Sequence, residues 1–166
     1  MENRSESSDG IHMTIDNVKA IMLDMFASGT NTTFITLDWT KIELVMNHKV
    51  LEIAQVEVRK VVGERRVVLE THLLKLEYVI VFTNETFRLH RPAPVLLPRE
   101  SIEDVTINGF DIPAKTRIFV NAWKIGRDLD LWKHAESFMP ERFLHSVIDL
   151  KGQDFWLIPF GVGQRI

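Results

Sequence analysis

Two charged side chains of opposite sign, Glu85 and Arg88, lie three positions apart in the apolar stretch "YVIVFTNETFRLH". Residues three apart on a helix face each other, and such a pair contributes only ~0.2–0.5 kcal/mol when it is exposed. The apolar neighbours favour a buried pair, in which loss of one partner costs ~3–5 kcal/mol because the other charge is left unpaired. We expect a third charged side chain to complete this pair, and Arg142 in "PERF" is the candidate.

The stretch "FASGTNTT", residues 26–33, collects small and hydroxylated side chains within an apolar pattern. A glycine inside a helix costs roughly 1 kcal/mol relative to alanine, and threonine hydroxyls can bond back to the carbonyl four residues earlier. Two interpretations follow. The first, which this stretch alone favours, is a tight crossing of two helices at Gly29. The second is a groove where a flat ligand approaches the backbone and hydroxyl groups handle a proton.

Composition excludes several other kinds of chemistry. The 166 residues include no cysteine, so this chain supplies neither a disulfide nor a thiolate, and the six histidines form no HExxH pair. The net charge of −3 gives no electrostatic reason to expect a nucleic-acid partner. The glycines of the last loop, "PFGVGQRI", lack the strand–GxxxxGK–helix setting of a phosphate site.

The positions of the apolar residues predict the elements that carry these side chains. Helical spacing indicates three helices in the first half: one that starts at Thr14, one over 49–63 that ends at Gly63, and one over 73–90 that ends before Pro92. In the second half, "DVTINGFDIP" predicts a hairpin that turns at Asn108–Gly109, and "TRIFVNAW" predicts a further strand. Helices followed by short strands indicate an α+β fold that is mainly α.

The ends of the chain suggest how it is divided. Residues 1–13 are polar, so we expect a disordered N-terminus, and 14–166 have the length of one domain. The start has no apolar segment of the kind found in signal peptides. The longest promising uncharged stretch, "MFASGTNTTFITL", has 13 residues and is too short to span a bilayer.

Taken in order, the motifs resemble the C-terminal half of a cytochrome P-450, a haem-thiolate monooxygenase, and the wording is nearest to plant microsomal members. "FASGTNTT" resembles the long oxygen-binding helix and "ETFRLHRPAP" the ExxR helix with its proline-rich exit. "INGFDIPAKTRIFVNAWKIGRD" and "ESFMPERF" resemble the small β-hairpin region and the segment after it, and "PFGVGQRI" the start of the haem-binding loop. The resemblance runs from about Thr14 to Ile166, and 14–166 is therefore expected to be a partial cytochrome P-450 domain.

The resemblance implies roles for individual residues. Thr32 matches the oxygen-activating threonine that helps to deliver protons, and Asn31 occupies the family's acidic position, where an amide cannot relay a proton as a carboxyl does. Arg91 stands where the family usually has proline. The remaining matches are Gly29, where the helix opens to admit oxygen; Glu85, Arg88 and Arg142, the buried charged triad; Arg99 and Arg165, which pair with haem propionates; Phe160 and Gly163 of the haem-binding loop; and Ala93, Val95 and Leu96, which line the substrate pocket.

The metal ligand is expected outside this sequence. In the family, a cysteine whose thiolate binds the haem iron follows the position matched by Ile166, and the N-terminal half, with its membrane anchor, precedes Thr14. We therefore expect an internal fragment, with no metal ligand of its own, that does not bind haem properly and is inactive alone.

For the parent protein, the resemblance implies a haem-dependent monooxygenase that hydroxylates a small organic substrate, of the kind found in plant secondary metabolism, with O2. Its partners would be NADPH-cytochrome reductase and that substrate, with no nucleic acid, and its place the cytosolic face of the endoplasmic reticulum membrane. The alternative is a non-catalytic truncated remnant or an interaction fragment.

Overall fold

Between Ile15 and Leu89 most of the chain folds into helices, because its apolar residues recur at helical spacing. The computed structural model describes residues 13–65, 67–148 and 154–162, so the predicted disorder of 1–13 lies outside the described residues except for Met13. The helices of this half are α1 (Ile15–Met46), α2 (His48–Val62), α3 (Glu70–Leu73) and α4 (Glu77–Leu89). Mainly helical content with a small β region confirms the predicted α+β class.

Helix α1 begins where the sequence predicts. Thr14 is the N-cap, and its hydroxyl oxygen accepts a hydrogen bond from the backbone N–H of Asn17 at 3.2 Å. Such a cap satisfies one of the unpaired donors of the first turn. The helix continues for 32 residues, and none of them is buried by the described part of the chain. Most of its large apolar residues are therefore exposed in the described part of the chain.

Helix α2 confirms the prediction for 49–63 to within one residue. Its inner side carries Val50, Ala54 and Val62, which are all buried. The helix stops at Gly63, which has a φ of 61° and donates its N–H to the carbonyl of Arg59. Glycine suits this position because it adopts a positive φ without the cost that a side chain would add.

The third predicted helix is divided in the structure, so its predicted start at residue 73 is wrong. The short helix α3 ends at Leu73, two turn residues follow, and α4 begins at Glu77. A carboxylate from another helix causes the new start: Glu57 of α2 accepts the N–H groups of Tyr78 and Val79 at 2.8 and 3.1 Å. The predicted end is confirmed, since His90 is the C-cap.

Two small antiparallel sheets follow α4. Strands β2 (Val105–Ile107) and β3 (Phe110–Ile112) form the predicted hairpin, with Val105 opposite Ile112. Asn108 and Gly109 have φ values of 49° and 83°, which is the conformation of a type I′ turn. The other sheet pairs β1 (Arg99–Glu100) with β4 (Arg117–Ile118).

The strand predicted for "TRIFVNAW" is only partly present, because just two of its residues pair. The chain then turns into the short helix α5 (Ala122–Ile125), which Asn121 begins by accepting the N–H of Lys124 on its side-chain oxygen at 3.0 Å. Asparagine competes for local hydrogen bonds in this way and so ends a strand.

The core lies around α4, where a 3₁₀ turn at Pro140–Phe143 packs against the helix. This arrangement holds the middle of α4 away from water while α1 passes along its outside. Among the described residues, no helix is long and apolar enough to cross a membrane. The buried cluster consists of Val50, Ala54, Tyr78, Val81, Phe82, Trp132, Ala135, Phe143 and Leu157.

Candidate functional site

The carboxylate of Glu85 is bound in a forked arrangement by Arg88, one turn later on α4. Arg88 Nε donates to Glu85 Oε2 and Arg88 Nη2 donates to Glu85 Oε1, both at 2.8 Å. Both side chains are 0% exposed. Paired N–H donors of this kind give charge-assisted hydrogen bonds that fix direction as well as distance.

Arg142 reaches the same carboxylate from the 3₁₀ turn. Its Nε donates to Glu85 Oε1 at 3.1 Å, and the backbone N–H of Met139 donates to the same oxygen at 2.8 Å. The structure thus brings together the three residues of the charged triad that the sequence indicated. The cluster holds two guanidinium groups and one carboxylate, and it therefore carries an excess positive charge.

The five N–H groups of Arg88 are all used. Two bind Glu85, and the others donate to the carbonyl oxygens of Ala135 at 2.6 Å, Ser137 at 3.1 Å and Gly126. Arginine has five donors and no acceptor, so this guanidinium is fully satisfied. These bonds connect α4 to the loops on either side of residue 130. No local sequence pattern predicts this connection.

Trp132 packs against both guanidinium groups. The Arg88 and Arg142 carbons Cζ lie 5.4 and 5.8 Å from the centre of its ring, and its indole N–H donates to the carbonyl of Ile125 at 3.0 Å. A cation within about 6 Å of an aromatic face is attracted by the ring. Trp132 was not identified from the sequence. The one available signal was its position, ten residues before Arg142.

The start of α4 carries a second buried polar set that sequence reasoning also missed. The Tyr78 hydroxyl donates to Glu141 Oε1 at 2.9 Å. Burial, then the hydrogen bond and charge of Glu141, raise the pKa of Tyr78 above its ordinary value. Tyr78 is therefore a fixed donor, while Glu57 supplies negative charge at the N-terminus of the helix, where the helix dipole favours it.

Arg91 is the least satisfied charged group in the described part of the chain. Its side chain is buried, its Nε and Nη1 have no hydrogen-bond partner among the described residues, and its Nη2 makes one long bond to the Arg88 carbonyl at 3.4 Å. Burial, together with the charges of Arg127 and Arg88, lowers the pKa of Arg91 to about 10. The buried guanidinium of Arg91 is therefore expected to lower the free energy of unfolding.

The candidate catalytic residues on α1, which are Gly29, Asn31 and Thr32, are exposed in the described part of the chain. Thr32 Oγ1 donates to the carbonyl of Ser28 at 2.6 Å, and Thr33 Oγ1 donates to that of Gly29 at 2.7 Å, which confirms the predicted back-bonding. No heavy atom of the described residues would lie within 4 Å of a Cβ added at Gly29. The described residues therefore contain no second helix that crosses α1 at Gly29, and they do not distinguish the tight crossing from the ligand groove. Asn31 is exposed on the same helix.

The last described loop lies beside Arg99. Arg99 Nη2 donates to the carbonyl of Val162 at 3.0 Å. Phe160 is 70% exposed, and its ring packs edge-on against Phe87 of α4 with the ring centres 5.4 Å apart. A Cβ added at Gly161 would touch Leu96 at 3.6 Å. The result is an exposed apolar face with a guanidinium at its edge; Gly163 and Arg165 lie outside the described residues.

The segment that leads to Arg99 is a bent connection. Leu96 donates its N–H to the carbonyl of Ala93 at 3.3 Å, and Trp123 of α5 donates its N–H to the carbonyl of Pro94 at 2.8 Å. Val95 is 45% exposed. Of the predicted pocket residues, Leu96 lies beside the last described loop, Ala93 is bonded to Leu96 through the backbone, and Val95 is open to solvent.

No metal centre is formed by the described residues. They contain no group of three or more histidine, aspartate or glutamate side chains that could hold an ion. Any iron ligand of the thiolate type is also absent from this sequence, which has no cysteine.

Comparison of the sequence with models of known protein families shows to which family the chain belongs. The model of the family described as "Cytochrome P450" matches residues 1–166. The chain belongs to the cytochrome P450 family.

This cytochrome P450 chain is similar to several plant proteins. "Cytochrome P450 71AP13" of Prunus mume is 65% identical over 165 residues, which is 99% of this chain and 32% of that protein. "Cytochrome P450 71A1" of Persea americana is 53% identical over 162 residues, 98% of this chain and 32% of that protein. "Tryptamine 5-hydroxylase" of Oryza sativa subsp. japonica is 48% identical over 159 residues, 93% of this chain and 30% of that protein.

A solved structure agrees with the sequence comparison. A zebra fish cytochrome P450 with progesterone superposes with a TM-score of 0.81 at 32% identity, covering 94% of this chain and 35% of that one. The cytochrome P450 fold is therefore shown for this chain. The chain spans about a third of the length of the curated relatives that it matches.

The haem that the cytochrome P450 family implies can be tested against the apolar face beside Arg99. A porphyrin is a flat apolar ring with two carboxylates at one edge. Phe160 and Leu96 offer apolar surface, and the Arg99 guanidinium, which is exposed, offers donors that suit a carboxylate. The described residues thus fit the periphery of the group, and the thiolate is not among the residues of this chain.

Proposed function

We propose that residues 14–166 are part of a haem-dependent monooxygenase that hydroxylates a small organic substrate of the plant secondary-metabolite type. The observation that carries this proposal is the contact of Arg99 with the loop at Phe160–Val162. It places a guanidinium at the rim of an exposed apolar face, which suits a porphyrin propionate. Family membership supports the chemistry, and the named relatives include a hydroxylase.

When bound, the haem would supply the activation of O2 and the insertion of one oxygen atom into the substrate, with two electrons from a reductase. Arg99 would hold a propionate, as would Arg165, and Phe160 with Gly163 would contribute to the loop around the iron ligand. The haem would then have a fixed orientation before any substrate arrives.

We propose that the Thr32 hydroxyl would help to deliver protons to the site. Its present partner is the Ser28 carbonyl at 2.6 Å, so the hydroxyl would have to rotate before it could donate elsewhere. Gly29 leaves open space on α1, since no atom of the described residues outside this helix's own backbone would lie within 4 Å of a Cβ added there. Asn31 can donate an amide N–H to a water molecule but has no acidic proton to release. Proton delivery in this protein would therefore depend on Thr32 and ordered water.

The remaining proposed residues shape the site. Ala93, Val95 and Leu96 would line the substrate pocket. The Glu85, Arg88 and Arg142 cluster would brace the haem side of the fold, since it connects α4 to the 3₁₀ turn without free donors on Arg88. A fully satisfied buried cluster keeps a site in one geometry.

The proposed partners follow from this chemistry. NADPH-cytochrome reductase would supply the electrons, and the proposed location is the cytosolic face of the endoplasmic reticulum membrane. We propose that the 166-residue chain alone is inactive, because it contains no cysteine to serve as the thiolate ligand. The chain should be mixed with haem, reduced and exposed to carbon monoxide. A thiolate-type Soret band from this sample would refute the inactivity.

A chimera tests the activity itself. The 166 residues would replace the matching third of the 65% identical Prunus mume relative, which supplies the rest of the polypeptide. We expect a thiolate-type carbon monoxide spectrum and NADPH-dependent uptake of O2. Thr32→Val in the same chimera is the matched control, and it should keep the spectrum while slowing substrate hydroxylation. A chimera that folds but binds no haem would contradict the proposal.

An interaction fragment is the second candidate, and the exposed face of α1 favours it. None of the 32 residues of this helix is buried by the described part of the chain. The nucleotide sequence after the Ile166 codon separates the two candidates. A cysteine codon in frame supports the enzyme, and a stop codon supports the fragment.

A further inference from the structure

Helices α1 and α4 are joined by a contact that the charged cluster does not include. Glu43 Oε1 of α1 lies 2.6 Å from Nε2 of His90, the residue that caps the end of α4. The Trp39 ring of α1 stacks on the His90 ring, with centres 4.0 Å apart and planes 4° from parallel. We call this set the Trp39–Glu43–His90 contact.

Each group in the contact is held on more than one side. The second carboxylate oxygen of Glu43 accepts from Asn47 Nδ2 at 2.9 Å. The backbone N–H of His90 donates to the carbonyl of Thr86 at 2.7 Å. The His90 and Glu43 side chains are 15% and 13% exposed, so water competes little for the bond between them. The plane of the imidazole and the direction of its hydrogen bond are therefore both fixed.

Helical geometry connects this contact to Thr32. Trp39 and Glu43 follow Thr32 by 7 and 11 positions in one continuous helix. At 3.6 residues per turn, 7 and 11 residues are within about 20° of two and three whole turns. The three side chains therefore share one face of α1, with Trp39 about 10 Å along the axis from Thr32. A rotation of α1 that turned Thr32 away would also break the contact with His90.

We propose that Trp39, Glu43 and His90 are positioning residues that set the rotation of α1 about its own axis and so the direction in which Thr32 faces. His90 directly precedes residues 91–96, which include the proposed pocket wall. The same contact thus connects the rotation of α1 to the start of that segment. The consequence for proton delivery rests on the proposed function, whereas the geometric effect does not.

Paired spin labels can measure the effect because the chain has no cysteine of its own. Thr30→Cys on α1 and Ile80→Cys on α4 place labels at exposed positions. The distance distribution between the labels is measured on the 166-residue chain by pulsed electron resonance. His90→Leu and Trp39→Ala should shift its maximum or roughly double its width.

Three further variants separate positioning from general damage. Trp39→Phe keeps an aromatic ring and Glu43→Gln keeps an acceptor oxygen. Both variants should therefore retain most of the distance distribution of the parent chain. Thr36→Val is the matched control, because it removes a bond of Thr36 Oγ1 to the Thr32 carbonyl, 2.8 Å long, that lies wholly within α1. This variant should leave the distribution unchanged.

The proposal is overturned if His90→Leu and Trp39→Ala retain the parent distribution while circular dichroism shows unchanged helix. If His90→Leu loses helix, Trp39→Ala is compared with Trp39→Phe instead. Equal distance distributions between the labels in these two variants would overturn the proposal. No haem is added in these measurements. A failure of the chimera to bind haem would therefore refute the proposed function and leave the result on α1 standing.

Discussion

Replacement of Glu85 by glutamine tests whether the buried cluster stabilises the fold as its geometry indicates. Glu85 accepts hydrogen bonds from Arg88 Nε, Arg88 Nη2, Arg142 Nε and the Met139 N–H. Glutamine has nearly the same size, but it carries no charge and turns one acceptor into a donor. Two guanidinium groups would then share a buried site with no negative charge, and one N–H of Arg88 would face another N–H.

The expected loss in free energy of unfolding is ~3–5 kcal/mol, the usual cost of leaving a buried charge without its partner. With a urea m-value of about 2 kcal/mol per molar, the unfolding midpoint should fall by about 1.5–2.5 M. Arg142→Leu should cost less, because it leaves a neutral Glu85–Arg88 pair in place. The order of the two variants is therefore part of the prediction.

The assay is urea unfolding of the 166-residue chain, followed by circular dichroism and by tryptophan fluorescence. Glu77→Gln is the matched control, since Glu77 lies on the same helix and is exposed. Surface changes of this kind stay within about 0.5 kcal/mol. The reasoning is refuted if Glu85→Gln moves the midpoint no further than Glu77→Gln does, or if Arg142→Leu is the more damaging variant.

Other changes probe separate features of the fold. Arg91→Leu should raise the free energy of unfolding by about 1–3 kcal/mol at pH 7, because it removes buried donors that have no partner. The folded-state pKa of Arg91, about 10, is below its ordinary value, so above pH 10 the unfolded parent chain binds more protons than the folded one and the parent becomes more stable. The advantage of Arg91→Leu over the parent chain should therefore shrink above pH 10. Urea titrations from pH 7 to 11 measure this difference. Glu57→Gln should cost about 0.5–2 kcal/mol by weakening the cap of α4, as thermal unfolding would show, and an unchanged melting temperature would contradict the cap. Gly109→Ala should cost ~1–2 kcal/mol, because φ is 83° there, and Gly29→Ala, with open space around it, serves as its comparison in the same melts.

Elements that depend on local chemistry were predictable from the sequence. The hairpin at Asn108–Gly109 and the end of α2 at Gly63 each follow from a residue that tolerates positive φ. The end of α4 before Pro92 follows from the restriction that proline places on its neighbour. In each case a few adjacent residues decide the outcome, so a single sequence is sufficient.

Elements that depend on distant groups were not predictable. The break before α4 is set by Glu57, which lies 21 positions from Tyr78. The length of strand β4 depends on its pairing with β1, which extends over two residues. No periodicity in the apolar residues carries this information, since the deciding atoms come from another part of the chain.

The candidate site divides in the same way. The apolar setting of Glu85 and Arg88 predicted that they would be buried, and "PERF" supplied Arg142. The carbonyls of Ala135 and Ser137, which complete Arg88, depend on loop conformations that the sequence does not specify. Arg91 departs from the family pattern, and only the structure shows that two of its guanidinium nitrogens have no partner among the described residues.

The two halves of the proposed site differ in what supports them, and this difference bears on how the chain folds. Glu85 and Arg88 have partners within the chain, and the surrounding core is made of described residues. Thr32 is exposed on a helix with no buried residue among those described, and the described contacts on its face include those of Trp39 and Glu43 with His90. Helices gain most of their stability from packing of an apolar face. The segment of α1 before Trp39 should therefore exchange its amide hydrogens well before α4 does, and equal protection of both would show that α1 is stabilised by something other than these contacts.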